Sequence, residues 1–143
     1  MARWQDIVDS APEFAAAVRG HLDARVHKTI ATIRADGSPR ISGIETFFED
    51  GDLYVGSMSN ARKALDLRRD PRYALHSGSI DPPEWPGDAK LSGRAQEIVD
   101  PERGSHLFRL DVDEAVLVAL NEERTKLVVQ LWRPDAELKR FER

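Results

Sequence analysis

Two adjacent cations, Arg62 and Lys63, stand at the predicted start of a short helix in the stretch "SMSNARKALDLRRDP", residues 57–71. A helix N-terminus carries partial positive charge and unpaired N–H groups, so it favours anions and disfavours further cations. Arg68 and Arg69 stand at the other end, where positive charge suits the dipole. Either the first two side chains simply reach solvent, or an anion such as phosphate binds among them and the N–H groups.

The turn before this helix contains small and hydroxyl-bearing residues that suit an anion. Ser57 ends a predicted strand, and Ser59 or Asn60 is expected to cap the helix by accepting a backbone N–H bond. Ala61 is small enough to allow close approach to the helix start. A phosphate here would meet backbone donors, a hydroxyl and two charges together. The spacing alone leaves both interpretations open.

Residues for other kinds of chemistry are scarce. The chain has no cysteine, which excludes disulfides, thiolate metal sites and a cysteine nucleophile. It has no G-x-S-x-G motif, so triad hydrolysis is not expected. The histidines show no metal-ligand spacing, and no metal site is predicted: His21, His27, His76 and His106. No catalytic residue can be named, and any difficult chemistry is expected to come from a bound cofactor.

Length and charge narrow the class of protein. The 143 residues are expected to form one domain, residues 1–143, with its own core. A formal net charge of -4 argues against a nucleic-acid partner, which would favour a basic face. No apolar stretch approaches the length of a membrane span or resembles a signal peptide, so a cytoplasmic location without membrane association is expected.

The elements around the basic stretch are mostly strands. A helix is predicted from Ser10, with Pro12 in its first turn and the body "EFAAAVRGHLDAR". Two Asp-Gly pairs predict the hairpin turns of a three-stranded meander: 28–34, 39–48 and 52–57. The remaining predictions are a helix at 60–69, a strand at 73–77, a loop at 78–88, a strand at 89–99, a helix at 101–108, and strands at 110–121 and 125–134. Antiparallel strands with short helices between them indicate a small closed or half-closed β-barrel.

Four segments in a fixed order carry a family resemblance: "IATIRADGSPRIS", "DGDLYVGS", "ARKALDLRRDPRYAL" and "KLSGRAQEI". This order resembles the pyridoxamine 5'-phosphate oxidase-like split-barrel family, and most of all its flavin- and deazaflavin-dependent oxidoreductase branch. The resemblance implies a mainly β split barrel of antiparallel strands with short helices, like that of FMN-binding proteins. It also implies a homodimer with a flavin-type cofactor in a groove at the interface. The substrate motif of pyridoxamine phosphate oxidase itself is not recognisable, so that activity is not expected.

The resemblance also implies site residues. In the family, the strand-to-helix turn and the lysine of "K-x-x-x-L-R-R-D-P", here Lys63, hold the cofactor phosphate. The implied cofactor contacts come from Lys63, Arg62, Ser57, Ser59 and Ala61 at the phosphate, from Glu45, Thr46 and Phe47 beside the ring, and from Arg94 of either subunit.

Glu45 departs from the family pattern, because many relatives have a neutral group at this position. A carboxylate near the ring disfavours an anionic reduced flavin unless it is paired or protonated. Three outcomes stay open: Glu45 points away toward Arg34 or Arg40, it tunes the cofactor, or flavin binding has been lost.

The implied function is an oxidoreductase that transfers hydride through FMN or the deazaflavin F-420 to a small-molecule substrate. The sequence does not choose between these two cofactors. The alternative is a non-catalytic binding or carrier protein for flavin, haem or another hydrophobic ligand on the same barrel. A structural or interaction module is a third class, and an empty apolar dimer groove would be its mark.

Overall fold

The computed structural model describes all 143 residues, which form three α-helices and eight β-strands. The helices are α1 (Trp4–Ser10), α2 (Pro12–Asp23) and α3 (Arg62–Arg69). The strands are β1 (His27–Ile33), β2 (Pro39–Glu49), β3 (Asp52–Ser57), β4 (Arg72–His76), β5 (Asp88–Glu97), β6 (His106–Leu120), β7 (Leu127–Trp132) and β8 (Lys139–Glu142). None of the helices combines the length and apolar character needed to cross a membrane. The predicted mainly β class is confirmed.

Six antiparallel strands close into a barrel in the order β3-β2-β1-β4-β5-β6, and β3 pairs with β6 to complete it. The long strand β6 makes this closure possible. One edge of β6 pairs with β5, while its other edge pairs first with β3 through residues 106–109 and then with β7 through residues 115–120. Strands β7 and β8 therefore extend the sheet away from the barrel. Closure removes the exposed edges that a six-stranded open sheet would present.

Strand alternation separates the barrel interior from its outer face. On β1, Ile30 and Thr32 are buried inside, whereas Thr29 and Ala31 face outward. Helices α1 and α2 contribute to the same hydrophobic core, and each fully buried apolar side chain stabilises the fold by roughly 1.5–3 kcal/mol. Their core residues include Ile7, Phe14, Val18 and Leu22.

The predicted meander is confirmed as β1, β2 and β3, with both Asp-Gly turns in place. Asp50 and Gly51 have φ angles of 49° and 81°, the positive pair that a tight I′ turn requires. The helix predicted from Ser10 is α2, but it begins at Pro12 because Ser10 ends α1, where its hydroxyl donates to the carbonyl of Asp6 at 2.9 Å. The sequence did not predict α1 or β8.

The helix predicted for residues 101–108 is wrong. Asp100 and Pro101 make one turn only, in which the Arg103 N–H donates to the Asp100 carbonyl at 3.0 Å, and β6 begins at His106. From His106 onward, alternate side chains enter the barrel and the backbone pairs with β3 and β5. Pairing with two strands and burial in the core therefore outweigh the local helix signal.

Candidate functional site

The barrel opens between β2 and β3. Their ladder ends at the pair Thr46–Val55. Beyond this pair, β2 stays hydrogen-bonded to β1, whereas β3 follows β6. The two strands therefore diverge and leave a cleft between residues 43–46 of β2 and the segment 57–63, which runs from the end of β3 into α3. We call this opening the β2–β3 cleft.

Lys63 spans the β2–β3 cleft at the start of α3. Its Nζ donates a hydrogen bond to the Gly43 carbonyl at 3.3 Å, while the Arg62 side chain is exposed and has no partner. The backbone N–H groups of these two residues also lack acceptors, because the first helical bonds are made by Ala64 and Leu65. The first turn of α3 therefore carries two free N–H donors and two cations, the donor types that bind a phosphate.

Charge is distributed unevenly along the basic segment. Three later cations each form an ion pair: Arg68 with Glu97, Arg69 with Asp66, and Arg72 with Asp70. Neither Arg62 nor Lys63 forms an ion pair with any carboxylate of the chain. The positive charge at the helix start is therefore uncompensated, whereas that at the helix end is neutralised.

The N-cap residue of α3 is not one of the two residues that the sequence predicted. Ala61, and not Ser59 or Asn60, occupies the N-cap position, and no side chain caps the helix. Asn60 has a φ of 59°, a left-handed conformation that asparagine tolerates, and the helix begins at Arg62, two residues later than the predicted start at 60. Ser59 is exposed on this turn, and Ser57 is buried at the end of β3.

The three residues predicted beside a cofactor ring point in different directions. Glu45 and Phe47 face outward, and Phe47 stacks on Tyr54 with ring centroids 5.4 Å apart. Thr46 lies between them on the opposite face of β2. Its Oγ1 is buried without a hydrogen-bond partner, and it is the only buried side-chain polar atom of the chain in that state. An unpaired buried hydroxyl costs about 1–3 kcal/mol, so a ligand that supplied its partner would gain affinity.

Glu45 does not contact Arg34 or Arg40. Its Oε1 lies 3.6 Å from Nε2 of His27 on the neighbouring strand, and both side chains are largely exposed. Arg40 instead donates from Nε to Asp66 at 2.7 Å. The carboxylate therefore stays on the outer face beside a histidine that can neutralise it when protonated.

Arg94 is the one predicted residue that lies away from the cleft within a single chain. It is exposed on β5, and β1 and β4 separate it from β2. Of the other eight predicted residues, seven lie within residues 43–46 and 57–63, which border the cleft, and Phe47 lies next to it in the paired part of β2 and β3.

Asp66 fixes α3 in place, and sequence reasoning did not single it out. It is buried and accepts hydrogen bonds from Thr32 at 2.8 Å, from Arg40 at 2.7 Å and from Arg69 at 2.9 Å. Burial alone would raise the pKa of this carboxyl, but these three hydrogen bonds outweigh it and leave the pKa lowered. Because the partners lie on β1, β2 and α3, this network sets the position of Lys63 relative to the cleft.

His106 is a second residue that sequence reasoning missed. It is buried behind the turn, where its Nε2 accepts the Asn60 N–H at 3.1 Å and its Nδ1 lies 3.3 Å from the Glu97 carboxylate. Because residues 101–108 were predicted to form a helix, sequence reasoning had no basis for placing His106 beside the turn. The alternating apolar residues Phe108 and Leu110 were the available signal that a strand begins here.

A six-stranded antiparallel barrel in which two adjacent strands, β2 and β3, separate part-way along their length has the architecture of a split β-barrel. The sequence model of the family described as pyridoxamine 5'-phosphate oxidase matches residues 14–133. The chain therefore belongs to the pyridoxamine 5'-phosphate oxidase-like split-barrel family, as its sequence resemblance predicted. A comparison with curated proteins gives no match.

Solved structures share this fold at low sequence identity. PhzG from Burkholderia lata, solved with tetrahydrophenazine-1-carboxylic acid, is 14% identical, with a TM-score of 0.64 over 98% of this chain and 92% of PhzG. A conserved hypothetical protein from Mycobacterium tuberculosis is 18% identical, with a TM-score of 0.62 over 70% of this chain and 81% of its own. HutZ, the haem storage protein from Vibrio cholerae, is 16% identical, with a TM-score of 0.56 over 72% of this chain and 89% of HutZ.

The family commonly binds flavin, and the residues at the β2–β3 cleft fit such a group. The free N–H groups and unpaired cations of Arg62 and Lys63 suit a phosphate. The outward-facing pair Phe47 and Tyr54 suits the face of an aromatic ring.

Proposed function

We propose that the protein is an oxidoreductase that binds FMN or F-420 in the β2–β3 cleft and transfers hydride to a small-molecule substrate. The observation that carries this proposal is the uncompensated charge of Arg62 and Lys63 at a helix start with free N–H groups. When bound, the flavin or deazaflavin ring supplies the hydride chemistry. The residues of the chain bind and orient that group.

In this proposal, the start of α3 binds the cofactor phosphate. Lys63 is already oriented by the Gly43 carbonyl, so less side-chain entropy is lost when its remaining donors bind an anion. Arg62 adds a second charge, and the exposed Ser59 hydroxyl adds a neutral donor from the turn. Charge-assisted hydrogen bonds of this kind are roughly twice as strong as neutral ones.

In this proposal, β2 and its neighbouring strands bind the flavin or deazaflavin ring. Glu45 and Phe47 present their side chains to a ring on the outer face, whereas Thr46 Oγ1 is buried on the opposite face of β2 and would need a local shift of the strand to reach the same ring. Phe47 and Tyr54 form a stacked aromatic wall on the outer face. Glu45 brings negative charge to the outer face beside the ring. No residue is assigned as a general acid or base, and the substrate proton can come from solvent.

A homodimer is part of this proposal. The outer face of the barrel has a groove of about 370 Å³ whose lining includes Ala31, Ile41, Ala74 and Val116. Ile41 is 74% exposed there, although it is a large apolar residue on a barrel strand. A second copy packed on this face would bury Ile41, and the family resemblance assigns Arg94 a cofactor contact from either subunit of such a dimer.

The second candidate function is a non-catalytic carrier of flavin, haem or another hydrophobic ligand. It is favoured by the absence of an assigned acid or base at the cleft. It is also favoured by the fold shared with HutZ and with a haem-binding protein from Mycobacterium smegmatis.

Binding and turnover distinguish the two functions. Purified protein is titrated with FMN, F-420 and haem, and binding is followed by fluorescence quenching or absorbance. The protein loaded with reduced cofactor is then mixed with a panel of small conjugated acceptors. An oxidoreductase reoxidises its cofactor faster with an acceptor than without one, whereas a carrier shows the same rate in both. If neither FMN nor F-420 binds at micromolar concentrations, the oxidoreductase proposal fails.

A further inference from the structure

We propose that His106 is a positioning residue, which holds the turn 58–61 in the conformation that presents the N-terminus of α3 to an anion. The identity of the anion as a cofactor phosphate rests on the proposed function. The role of His106 in shaping the turn does not. His106 itself would not touch the ligand, because it lies buried behind the turn and acts through the backbone of Asn60.

The hydrogen bonds of His106 define its state. Because the Asn60 N–H donates to Nε2 at 3.1 Å, Nε2 must carry a lone pair and no proton. Nδ1 then carries the proton and donates to Oε1 of Glu97 at 3.3 Å. The imidazole is therefore a neutral bridge, with its acceptor side toward the turn and its donor side toward a carboxylate.

Glu97 is itself held in place by Arg68. The guanidinium donates from Nε at 2.7 Å and from Nη2 at 2.6 Å, one bond to each carboxylate oxygen. A fixed carboxylate keeps the proton of His106 on Nδ1, and this keeps Nε2 available to Asn60. Since Arg68 lies in the last turn of α3, the chain Arg68–Glu97–His106–Asn60 ties both ends of this helix to the barrel wall.

The turn needs this support because little else holds it. Met58, Ser59 and Asn60 are all exposed, and the only backbone bond inside the turn joins the Ala61 N–H to the Met58 carbonyl at 3.1 Å. Asn60 also adopts a left-handed conformation with a φ of 59°, which a non-glycine residue adopts at some cost. Without the bond to His106, the turn can relax, and the N–H groups of Arg62 and Lys63 lose their fixed direction.

Two substitutions separate positioning from packing. His106→Leu fills the pocket with an apolar side chain and removes the acceptor for Asn60. His106→Gln can accept from Asn60 through Oε1 and donate to Glu97 through its amide N–H, so it restores both bonds. We expect His106→Leu to weaken the affinity for FMN or F-420 about tenfold and His106→Gln to stay within about threefold of the unchanged protein.

The thermal midpoints of the unliganded variants serve as the structural readout. His106 positions the turn if only the variant that cannot accept the Asn60 N–H loses cofactor affinity, whatever the thermal midpoints of the two variants. If both variants bind equally weakly, or if His106→Leu binds as tightly as the unchanged protein, the proposal is overturned.

A measurement without cofactor keeps this inference distinguishable from the proposed function. In the ¹⁵N-labelled protein, a through-hydrogen-bond coupling between the Asn60 amide nitrogen and His106 Nε2 reports the bond directly. Titration with inorganic phosphate should then shift the Arg62 and Lys63 amide resonances at lower concentration in the unchanged protein than in His106→Leu. Absence of the coupling, or equal phosphate titrations, overturns the role of His106. A positive result in a protein that binds neither FMN nor F-420 refutes the proposed cofactor alone.

Discussion

Lys63 Nζ lies 3.3 Å from the carbonyl oxygen of Gly43, across the opening where β2 and β3 separate. An ammonium group has three donors, and this neutral carbonyl is the only acceptor that the chain gives it. Lys63 is therefore oriented without being neutralised. This arrangement is what a preformed anion site requires, because orientation is set before binding while the charge remains available.

Replacing Lys63 should weaken binding of the phosphate-bearing cofactor. Lys63→Ala removes a charge-assisted hydrogen bond, so we expect the dissociation constant for FMN or F-420 to rise about 10- to 100-fold. Lys126→Ala is the matched control, since Lys126 is an exposed lysine in the β6–β7 turn. Fluorescence titration measures both. An equal loss in the two variants would mean that net charge, and not the position of Lys63, determines affinity.

Replacing Glu45 should change the reduction potential of a bound flavin. The carboxylate disfavours added negative charge on the ring, so Glu45→Gln is expected to make the potential about 20–60 mV more positive. Spectroelectrochemical titration of the loaded protein measures the shift. An unchanged potential in Glu45→Gln would place this carboxylate too far from the ring to act on it.

Asp66 should make the fold sensitive to acid. Its pKa is lowered below the ordinary value of 3.8, so the unfolded chain binds a proton more readily than the folded one. The stability from Asp66 is therefore present above about pH 4 and is lost as the pH falls through the lowered pKa. Asp66→Asn should lower the free energy of unfolding by about 2–3 kcal/mol at pH 7 and by much less at pH 2.

Urea unfolding at the two pH values measures this difference. Asp50→Asn is the control, because Asp50 is exposed and asparagine accepts its positive φ of 49°. An equal loss for Asp66→Asn at both pH values would show that the charge of Asp66 contributes nothing.

The outer face should carry the dimer contact. Ile41→Glu places a charge in the apolar groove, so a dimer packed on this face is expected to dissociate to monomers. Val99→Glu is the control, since Val99 is 80% exposed in the loop after β5 and lies off this face. Sedimentation velocity measures the mass of each variant. A dimer that survives Ile41→Glu would require a different interface.

Local signals in the sequence were enough to predict the barrel around the cleft. The Asp-Gly pairs define two hairpins because few other residues accept the positive φ angles of such turns, and Gly51 shows one at 81°. Alternation of side chains then defines the strands. The basic pair at the start of α3 could also be predicted, because its conflict with the helix dipole is visible in the residue order.

The features that the sequence did not predict depend on contacts between residues that are distant along the chain. Residues 101–108 carry a local helix signal, and only pairing with β3 and β5 makes His106 the start of a strand. Asp66 is unremarkable in sequence, because its partners Thr32 and Arg40 come from two strands more than twenty residues away. Glu45 likewise finds His27 through the register of β1 against β2, which the sequence does not reveal.

Cofactor binding at the start of α3 can be observed in a crystal structure of the protein grown with FMN or F-420. We expect the cofactor phosphate to lie within hydrogen-bond distance of Lys63 Nζ and of the Arg62 and Lys63 N–H groups, with the ring along residues 44–47 of β2. A cofactor bound elsewhere on the barrel, with the start of α3 in contact only with solvent, would contradict it.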